Sequence, residues 1–196
     1  MPKLEFWFEF ASTYSYLTAM RIGDMAAQAG VDLVWQPFWL GPIFRAQGWD
    51  TSPFNLYPAK GRYMWRDMER LCAARGLPLT PPDPFPQNSI LAARVALLAL
   101  KRPEGPAFCQ SVYMAEFGQA AQISDPVVLS GLLEGCGLPS SLVEEAGTDP
   151  VKQALRDQVA RAQELGIFGA PSFVVGGELY WGDDRLADAL DFAATG

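Results

Sequence analysis

The side chains best suited to chemistry in this sequence are hydroxyl groups at the point where a strand gives way to a helix. Ser12, Thr13, Tyr14 and Ser15 follow an apolar run that ends at Phe10. Serine and threonine cap helices well, and a helix N-terminus stabilises an anion. The segment is therefore either an ordinary cap or a site where the Ser12 hydroxyl donates a hydrogen bond to an anion such as a thiolate. The chain has no histidine, so Ser12 has no obvious base and is not expected to be the nucleophile.

A second candidate is the Ala170–Pro171 pair, which stands directly before an apolar strand. Proline cannot donate a hydrogen bond to a sheet, so its place here indicates a turn, a sheet edge or a need for exposed backbone. We predict that the Ala170–Pro171 peptide bond is cis. A cis bond would leave the carbonyl and N–H of Ala170 free to pair with an extended peptide.

A third candidate is the acidic pair Asp183 and Asp184, which opens the last predicted helix. Acidic residues at this place are a common start signal for a helix. The alternative is a site for an amino-acid-like ligand, in which an aspartate binds the ammonium group and helix N–H groups bind the carboxylate.

A fourth candidate is a predicted helical face that carries Lys60, Tyr63 and Asp67, with Trp65 beside it. Charged helical faces are normally solvated. A concentration of tyrosine and tryptophan can also line an aromatic pocket, and the sequence leaves both interpretations open.

The composition excludes several classes of site and partner. Without histidine there is no Ser-His-Asp triad, no Cys-His pair and no imidazole metal site. The cysteines Cys72, Cys109 and Cys136 are far apart and form no C-x-x-C pair, so we expect neither a disulfide framework nor a bound metal. The net charge of −7 argues against nucleic acid as a partner.

The sequence also lacks the signals of export and membrane insertion. No basic segment at the N-terminus precedes an apolar run, and the longest apolar stretch, residues 90–100, is interrupted by Arg94. We therefore expect a soluble, cytoplasmic protein with no membrane partner.

The elements that must position these candidates begin with a βαβ unit. The pattern predicts a strand over residues 4–10, a helix over residues 13–29 that Gly30 ends, and a strand over residues 31–35. At the other end of the chain, strands over 172–175 and 178–181 with Gly-Gly between them predict a hairpin, followed by a helix over 184–194.

The middle of the chain predicts helices and no strand. Residues 41–57 are expected to form an ordered loop, and residues 77–86, with five prolines, no regular element. Helices are predicted over residues 58–75, 89–100, 106–117, 126–134, 140–146 and 150–165. The fold class predicted from this pattern is α/β, with one domain from residues 1–40 and 166–196 and an inserted helical domain over residues 41–165.

Four segments resemble one family, in order and over nearly the whole chain. The segment FWFEFASTYSYL (residues 6–17) resembles the F-x-F-D-x-x-S-P-Y-S-Y-L opening of the 2-hydroxychromene-2-carboxylate isomerases and kappa-class glutathione transferases, with Thr13 in place of the usual proline. The segment KGRYMWRD (60–67) resembles the family's K-G-x-Y-x-x-x-D, FGAPSF (168–173) its cis-proline motif, and WGDDRL (181–186) its G-x-D-R-L.

The resemblance implies a thioredoxin-like fold of the DsbA type with a large all-helical insertion, and glutathione as the cofactor. Ser12 matches the catalytic serine, which stands where related oxidoreductases have the first cysteine of C-x-x-C. The remaining positions implied for glutathione are Asn55, Lys60, Ala170, Pro171, Asp183 and Asp184, and those implied for the substrate pocket are Tyr14, Tyr63 and Trp65. Relatives are commonly homodimers, so a homodimer is expected.

The activity that the resemblance implies is the glutathione-dependent interconversion of 2-hydroxychromene-2-carboxylate and trans-o-hydroxybenzylidenepyruvate, a step in aromatic catabolism with a small aromatic substrate. One alternative is a kappa-like glutathione transferase or peroxidase that acts on another electrophile. Another is a binding protein of thioredoxin fold without catalysis. Consumption of glutathione separates the first two, and a Ser12 variant with unchanged function would favour the third.

Overall fold

A four-stranded mixed sheet organises the chain, of which the computed structural model describes residues 2–195. The strands are β1 (Lys3–Phe8), β2 (Asp32–Pro37), β3 (Ser172–Val175) and β4 (Glu178–Trp181), in the order β2-β1-β3-β4. Strand β1 pairs with β2 in parallel and with β3 in antiparallel fashion, and β3 and β4 form a hairpin. The sheet therefore joins the two ends of the chain, as the sequence predicts.

The helices surround this sheet and fill the long segment between β2 and β3. They are α1 (Thr13–Ala19), α2 (Ile22–Ala29), α3 (Gly41–Ala46), α4 (Pro53–Leu56), α5 (Pro58–Arg75), α6 (Ile90–Ala99), α7 (Gly105–Tyr113), α8 (Pro126–Gly135), α9 (Leu142–Glu145), α10 (Asp149–Glu164) and α11 (Leu186–Thr195). A π-helical turn (Met114–Gly118) continues α7, and a 3₁₀ turn (Asp183–Arg185) precedes α11. Among residues 2–195, no helix combines the length and the apolar character that crossing a bilayer requires.

Strong local signals gave the most accurate predictions. The helix over residues 58–75 and the strands over 172–175 and 178–181 have the predicted bounds. Gly30 and Gly76 end their helices at φ of +67° and +64°, which glycine adopts without a steric penalty.

The single helix predicted over residues 13–29 is wrong. The chain leaves helical geometry at Arg21, where φ is −134°, and α2 then begins at Ile22. This break lets the Arg21 guanidinium reach the carbonyl of Asp183 at 2.7 Å. A tertiary hydrogen bond therefore outweighs the local propensity for one continuous helix.

The loop predicted over residues 41–57 is also wrong in part. It contains α3 and α4, and the Ser52 hydroxyl caps α4 by accepting a hydrogen bond from the Phe54 N–H at 3.3 Å. Both helices carry proline in their first turn, where the ring replaces an N–H group that has no intrahelical partner. Residues 77–86 form no helix or strand, as predicted.

Both faces of β1 are buried, which explains its unusually large side chains. Phe6 and Phe8 belong to the larger apolar core, while Trp7 points to the opposite face and packs in a smaller core with Ala162 of α10. On that second face Glu5 accepts a hydrogen bond from the Arg161 guanidinium at 2.7 Å. Helix α10 thus covers the sheet directly, and the larger core is shared by sheet and helices. The division into two domains at residues 40 and 166 stays a prediction.

A fully buried carboxylic acid, Glu116, lies on the π-helical turn. Its side chain is 0% exposed, and within the described residues neither carboxylate oxygen has a hydrogen-bond partner. Burial raises the pKa of Glu116 well above its ordinary value of 4.5, and the charge of Glu9 raises it further. The folded protein therefore holds a proton on Glu116 that the unfolded chain releases.

We expect Glu116→Gln to stabilise the protein at pH 8 and to leave it nearly unchanged at pH 4. In the wild type the free energy of unfolding should fall by up to about 1.4 kcal/mol per pH unit above pH 4.5, because the folded state alone keeps the proton. Thermal unfolding across this pH range measures the effect. The exposed Glu134→Gln is the matched control, and an equal shift for Glu116→Gln at both pH values would contradict the prediction.

Candidate functional site

The hydroxyl of Ser12 connects the two ends of the chain. Ser12 has extended backbone (φ −92°, ψ 116°) and caps α1, since its Oγ accepts a hydrogen bond from the Ser15 N–H at 3.2 Å. The same hydroxyl donates to the carbonyl of Ala170 at 3.0 Å. The structure thus brings together the two segments that the sequence analysis selected independently.

The segment before β3 holds Ala170 in place from several sides. The Ala170–Pro171 peptide bond is cis, in agreement with the geometry that the sequence predicts. The Pro171 carbonyl accepts a hydrogen bond from the Gly182 N–H at 2.9 Å, and Ser172 Oγ donates to the Gly169 carbonyl at 2.8 Å. The backbone on both sides of Ala170 is therefore fixed relative to β4.

A cavity of about 510 Å³ opens beside Ser12 and Ala170. Its size lies within the range of about 300–1,000 Å³ that is typical of small-molecule sites. Aromatic side chains form much of its wall, namely Trp39, Phe44, Trp49, Phe54, Phe85 and Phe168. Lys60 and Arg45 add two cations to the wall. The cavity therefore suits a flat apolar or aromatic molecule that carries a negative charge.

A second cavity, of about 750 Å³, adjoins the first at Ala170. Charged side chains line it, including Asp67, Arg75, Asp184 and Arg185. Both cavities share Tyr14, Ala170 and Trp181 as wall residues. One apolar and one charged compartment therefore meet at the Ala170 backbone.

Tyr14 lies in the wall between the cavities and is held by α5. Its hydroxyl donates to Asp67 Oδ2 at 3.0 Å, and Asp67 also pairs with Arg70 at 3.1 Å. Burial, together with this hydrogen bond and the charge of Asp67, raises the pKa of Tyr14 well above its usual range. The Tyr14 phenol therefore keeps its proton at neutral pH. The residue lines both cavities and connects α1 to α5 through Asp67.

Asp183, expected to contact a ligand, is the buried centre of an ion-pair network. Arg21 and Arg75 donate to its carboxylate at 3.0 and 2.6 Å, and Thr18 Oγ1 donates at 2.9 Å. The side chain is 5% exposed and both its oxygens are occupied. Asp183 thereby fixes the turn before α11 to α1 and α5, and because it also lines the second cavity, its contact with an ammonium group stays a prediction.

Asp184 is placed very differently, with a side chain that is 75% exposed at the edge of the second cavity. Arg185 pairs with it at 3.2 Å. Gly182, before the turn, has φ of +110°, and a Cβ atom there would lie 2.5 Å from Asp184 Oδ1. The backbone geometry therefore favours glycine at 182, whereas the exposed Asp184 carboxylate can shift to make room for a Cβ atom.

Three residues expected at the site lie outside the walls of both cavities. Asn55 donates its amide hydrogens to the Phe85 carbonyl at 3.0 Å and to Thr51 Oγ1 at 3.3 Å, so it anchors the proline-rich segment. Tyr63 is 63% exposed and stacks with Arg70. Trp65 packs against Phe85 at a ring distance of 4.9 Å and so lies behind the wall.

The sequence analysis missed several wall residues. Glu9 and Ser89 line the first cavity beside Ser12, although they lie on different elements. Trp39 and Trp49 come from the segment around α3, whose richness in aromatic residues was a usable signal for a pocket. None of the cysteines lies among the residues that line the two cavities.

Comparison with known proteins gives consistent matches over the whole chain. The family model for the DSBA-like thioredoxin domain matches residues 3–192. A 2-hydroxychromene-2-carboxylate isomerase from Sphingobium xenophagum is 30% identical, over 93% of each chain. Glutathione S-transferase kappa 1 from Caenorhabditis elegans is 24% identical, over 97% of this chain and 91% of its own.

A solved structure of a 2-hydroxychromene-2-carboxylate isomerase has the same fold. It superposes with a TM-score of 0.87 and 24% identity, over 97% of this chain and 93% of the other. The match covers the sheet and the helical segment alike. The DsbA-type thioredoxin fold with its helical insertion, predicted from the sequence, is confirmed.

The different surroundings of Asp183 and Asp184 lead to a direct test. We expect Asp183→Asn to lower the free energy of unfolding by about 2 kcal/mol, because it removes the charge that two partly exposed arginines share. The matched variant Asp184→Asn should leave stability nearly unchanged, since that carboxylate is largely solvated. Urea unfolding measures both. Equal losses in the two variants would contradict the structural role of Asp183.

Proposed function

This chain belongs to the DsbA-like thioredoxin family, and we propose that it is a glutathione-dependent isomerase that interconverts 2-hydroxychromene-2-carboxylate and trans-o-hydroxybenzylidenepyruvate. The observation that carries the proposal is the contact between Ser12 and Ala170 at the junction of an aromatic and a charged cavity. Two adjoining compartments suit a reaction between two small molecules of different character.

The residues around Ala170 fit glutathione. The tripeptide is charged at its γ-glutamyl end, and the second cavity offers Asp184 for an ammonium group and Arg185 for a carboxylate. Its thiol would lie near Ser12, where the cavities meet. The ammonium group of Lys60 in the first cavity can pair with a further carboxylate. A small extended peptide can therefore pair its charged groups with these side chains and form backbone hydrogen bonds with Ala170.

Ser12 has a single hydroxyl proton, which the Ala170 carbonyl accepts in this structure. The Ser12 hydroxyl can rotate away from this carbonyl to donate a hydrogen bond to a thiolate, while a ligand amide donates to the carbonyl in its place. The first-turn N–H groups of α1 have no intrahelical acceptors and add to the stabilisation of negative charge there. Such surroundings lower a thiol pKa from about 8.5 into the range of about 3.5–7.5.

When bound, glutathione supplies a thiolate that adds reversibly to the conjugated double bond of the substrate and thereby permits rotation about it. The residues of the first cavity orient the substrate for this chemistry. Aromatic side chains, such as those of Trp39 and Phe168, bury its ring, and Arg45 can pair with its carboxylate. A homodimer and a cytoplasmic location stay predictions.

A kappa-like glutathione transferase is the second candidate, and the 24% identity to a kappa-class enzyme over 97% of this chain favours keeping it. The two activities would use the same half-site around Ala170. They differ in the fate of glutathione, which an isomerase regenerates and a transferase consumes.

We expect the protein to convert the chromene to the open enone only when glutathione is present. Absorbance of the two isomers, followed with and without glutathione, measures the reaction, and a thiol titration after many turnovers shows whether glutathione persists. Equal rates with and without glutathione would overturn the proposal. Stoichiometric loss of the thiol would favour the transferase instead.

We expect Ser12→Ala to lower kcat by roughly 10- to 100-fold while glutathione still binds, because a hydrogen bond to a charged partner is worth about 1.5–3 kcal/mol. Loss of the cap should also cost about 1 kcal/mol of stability. Asp125→Ala is the matched control, since Asp125 caps α8 through the Val127 N–H at 2.8 Å, far along the chain from the site. Calorimetry of glutathione binding and steady-state kinetics separate the two effects. Wild-type turnover in Ser12→Ala would reduce Ser12 to a helix cap.

A further inference from the structure

A buried carboxylic acid, Glu9, forms part of the wall of the first cavity. It follows β1 directly, is 4% exposed, and lines the cavity together with Ser12. Its backbone carbonyl accepts hydrogen bonds from the Ser12 N–H at 3.1 Å and from the Tyr113 hydroxyl at 2.8 Å. The position of Glu9 is therefore tied to the position of Ser12.

The Glu9 carboxyl group is held by three neutral donors. The Leu40 N–H donates to Oε2 at 2.8 Å, the Ala11 N–H donates to Oε1 at 3.3 Å, and Ser89 Oγ is hydrogen-bonded to Oε1. No arginine or lysine is paired with it within the described residues, whereas Asp183 is paired with two arginines. Glu9 is thus oriented firmly without a countercharge that would keep it ionised.

The surroundings of Glu9 favour its neutral form. Burial raises the pKa of Glu9, and its hydrogen bonds, the one from Ser89 foremost, oppose this only in part. Two other titratable groups near Glu9, Tyr113 and Glu116, are not part of the cavity wall. Burial raises the pKa values of both. The charged residues Arg45, Asp50 and Lys60 belong to the wall of the same cavity.

We propose that Glu9 is the acid–base residue of the isomerisation, which donates a proton to the carbonyl oxygen of the substrate and takes it back. The inference rests on the proposed function. Once the hemiketal ring of the chromene has opened to the enone, formation of a bond between the thiolate sulfur and the conjugated double bond would move an electron pair to the carbonyl oxygen, and that oxygen would gain the Glu9 proton. When the carbon–sulfur bond breaks after rotation and the double bond forms again, the electron pair would return from the oxygen and the Glu9 carboxylate would recover the proton, so that no proton is gained or lost overall.

No other group in the first cavity suits this task equally well. The chain has no histidine, and the Tyr14 phenol holds its proton too tightly at neutral pH. Asp50 is an exposed residue. An acid or base works best when its pKa lies near the working pH, and burial without a countercharge moves the pKa of Glu9 upward, toward neutral pH.

The proposal can be tested first without glutathione or turnover. The carboxyl carbon of Glu9 in ¹³C-glutamate-labelled protein should titrate above the value of about 4.3 for exposed glutamates. The assigned resonance should disappear in Glu9→Gln, whose amide can keep the contacts with Leu40 and Ser89. Titration of Glu9 together with the exposed glutamates would overturn the proposal.

The second arm measures kcat against pH for the chromene with saturating glutathione. We expect the wild-type rate to fall as rising pH removes the Glu9 proton, and Glu9→Gln to lower kcat by roughly 100-fold and abolish this fall. Glu9→Asp should restore the fall and part of the rate. The matched control is Glu116→Gln, which removes a buried carboxyl group outside the cavity wall and should keep the wild-type profile.

The outcomes separate the two proposals. A wild-type protein without glutathione-dependent turnover would refute the proposed function, and the role of Glu9 in it would fall as well. A wild-type protein that turns over, with a Glu9→Gln variant within twofold of it and of unchanged pH profile, would refute the role of Glu9 alone. If kcat of Glu116→Gln no longer fell at high pH, Glu116 would be the group whose titration controls the rate. That result would likewise overturn the assignment to Glu9.

Discussion

The hydrogen bond from Ser12 to the Ala170 carbonyl joins two parts of the chain that are 158 positions apart. It can form because β1 pairs directly with β3, so that the residues after β1 and those before β3 meet at one edge of the sheet. The long helical segment leaves the sheet after β2 and returns before β3, and it supplies the aromatic wall of one cavity and the α5 wall of the other. The site is therefore a consequence of the strand order, to which the helices add shape and charge.

The same strand order makes the turn before α11 a second point of convergence. Asp183 lies there, and its buried carboxylate is matched by Arg21 from the break between α1 and α2 and by Arg75 from the end of α5. Removing such a charge from water is unfavourable unless hydrogen bonds replace the lost hydration, and five donor–acceptor contacts at its carboxylate do so here. The network holds the backbone next to Asp184, which lines the second cavity. The break in the first helix, a departure from its sequence propensity, thus accompanies the contact of Arg21 with Asp183.

The sequence predicted those parts of the fold that have local causes. Gly30, Gly76 and the Gly-Gly pair between β3 and β4 stop or turn the chain by their own geometry, and Pro58 begins α5 because its ring suits a first helical turn. Ser12, Ala170, Lys60 and Asp184 line a cavity, and their contacts with a ligand stay predictions. Helical periodicity places residues on a face but does not show which neighbour covers that face. The pattern therefore did not reveal that Tyr63 is exposed or that Trp65 lies behind Phe85. It also did not reveal that Asn55 binds the Phe85 carbonyl and lies outside the cavity wall.

The acidic residues show most clearly what the sequence could not provide. Asp183, Glu9 and Glu116 are all buried, and nothing in their local sequence distinguishes the role of one from another. Asp183 has two arginines, Glu9 has only neutral donors and a cavity beside it, and Glu116 has no partner within the described residues. Burial raises the pKa of both Glu9 and Glu116, and the neutral hydrogen bonds to Glu9 oppose this shift only in part. Glu9 combines a pKa raised by burial with a place in the wall of the cavity next to Ser12, and of the three buried acids it is therefore the one whose proton can serve a bound substrate.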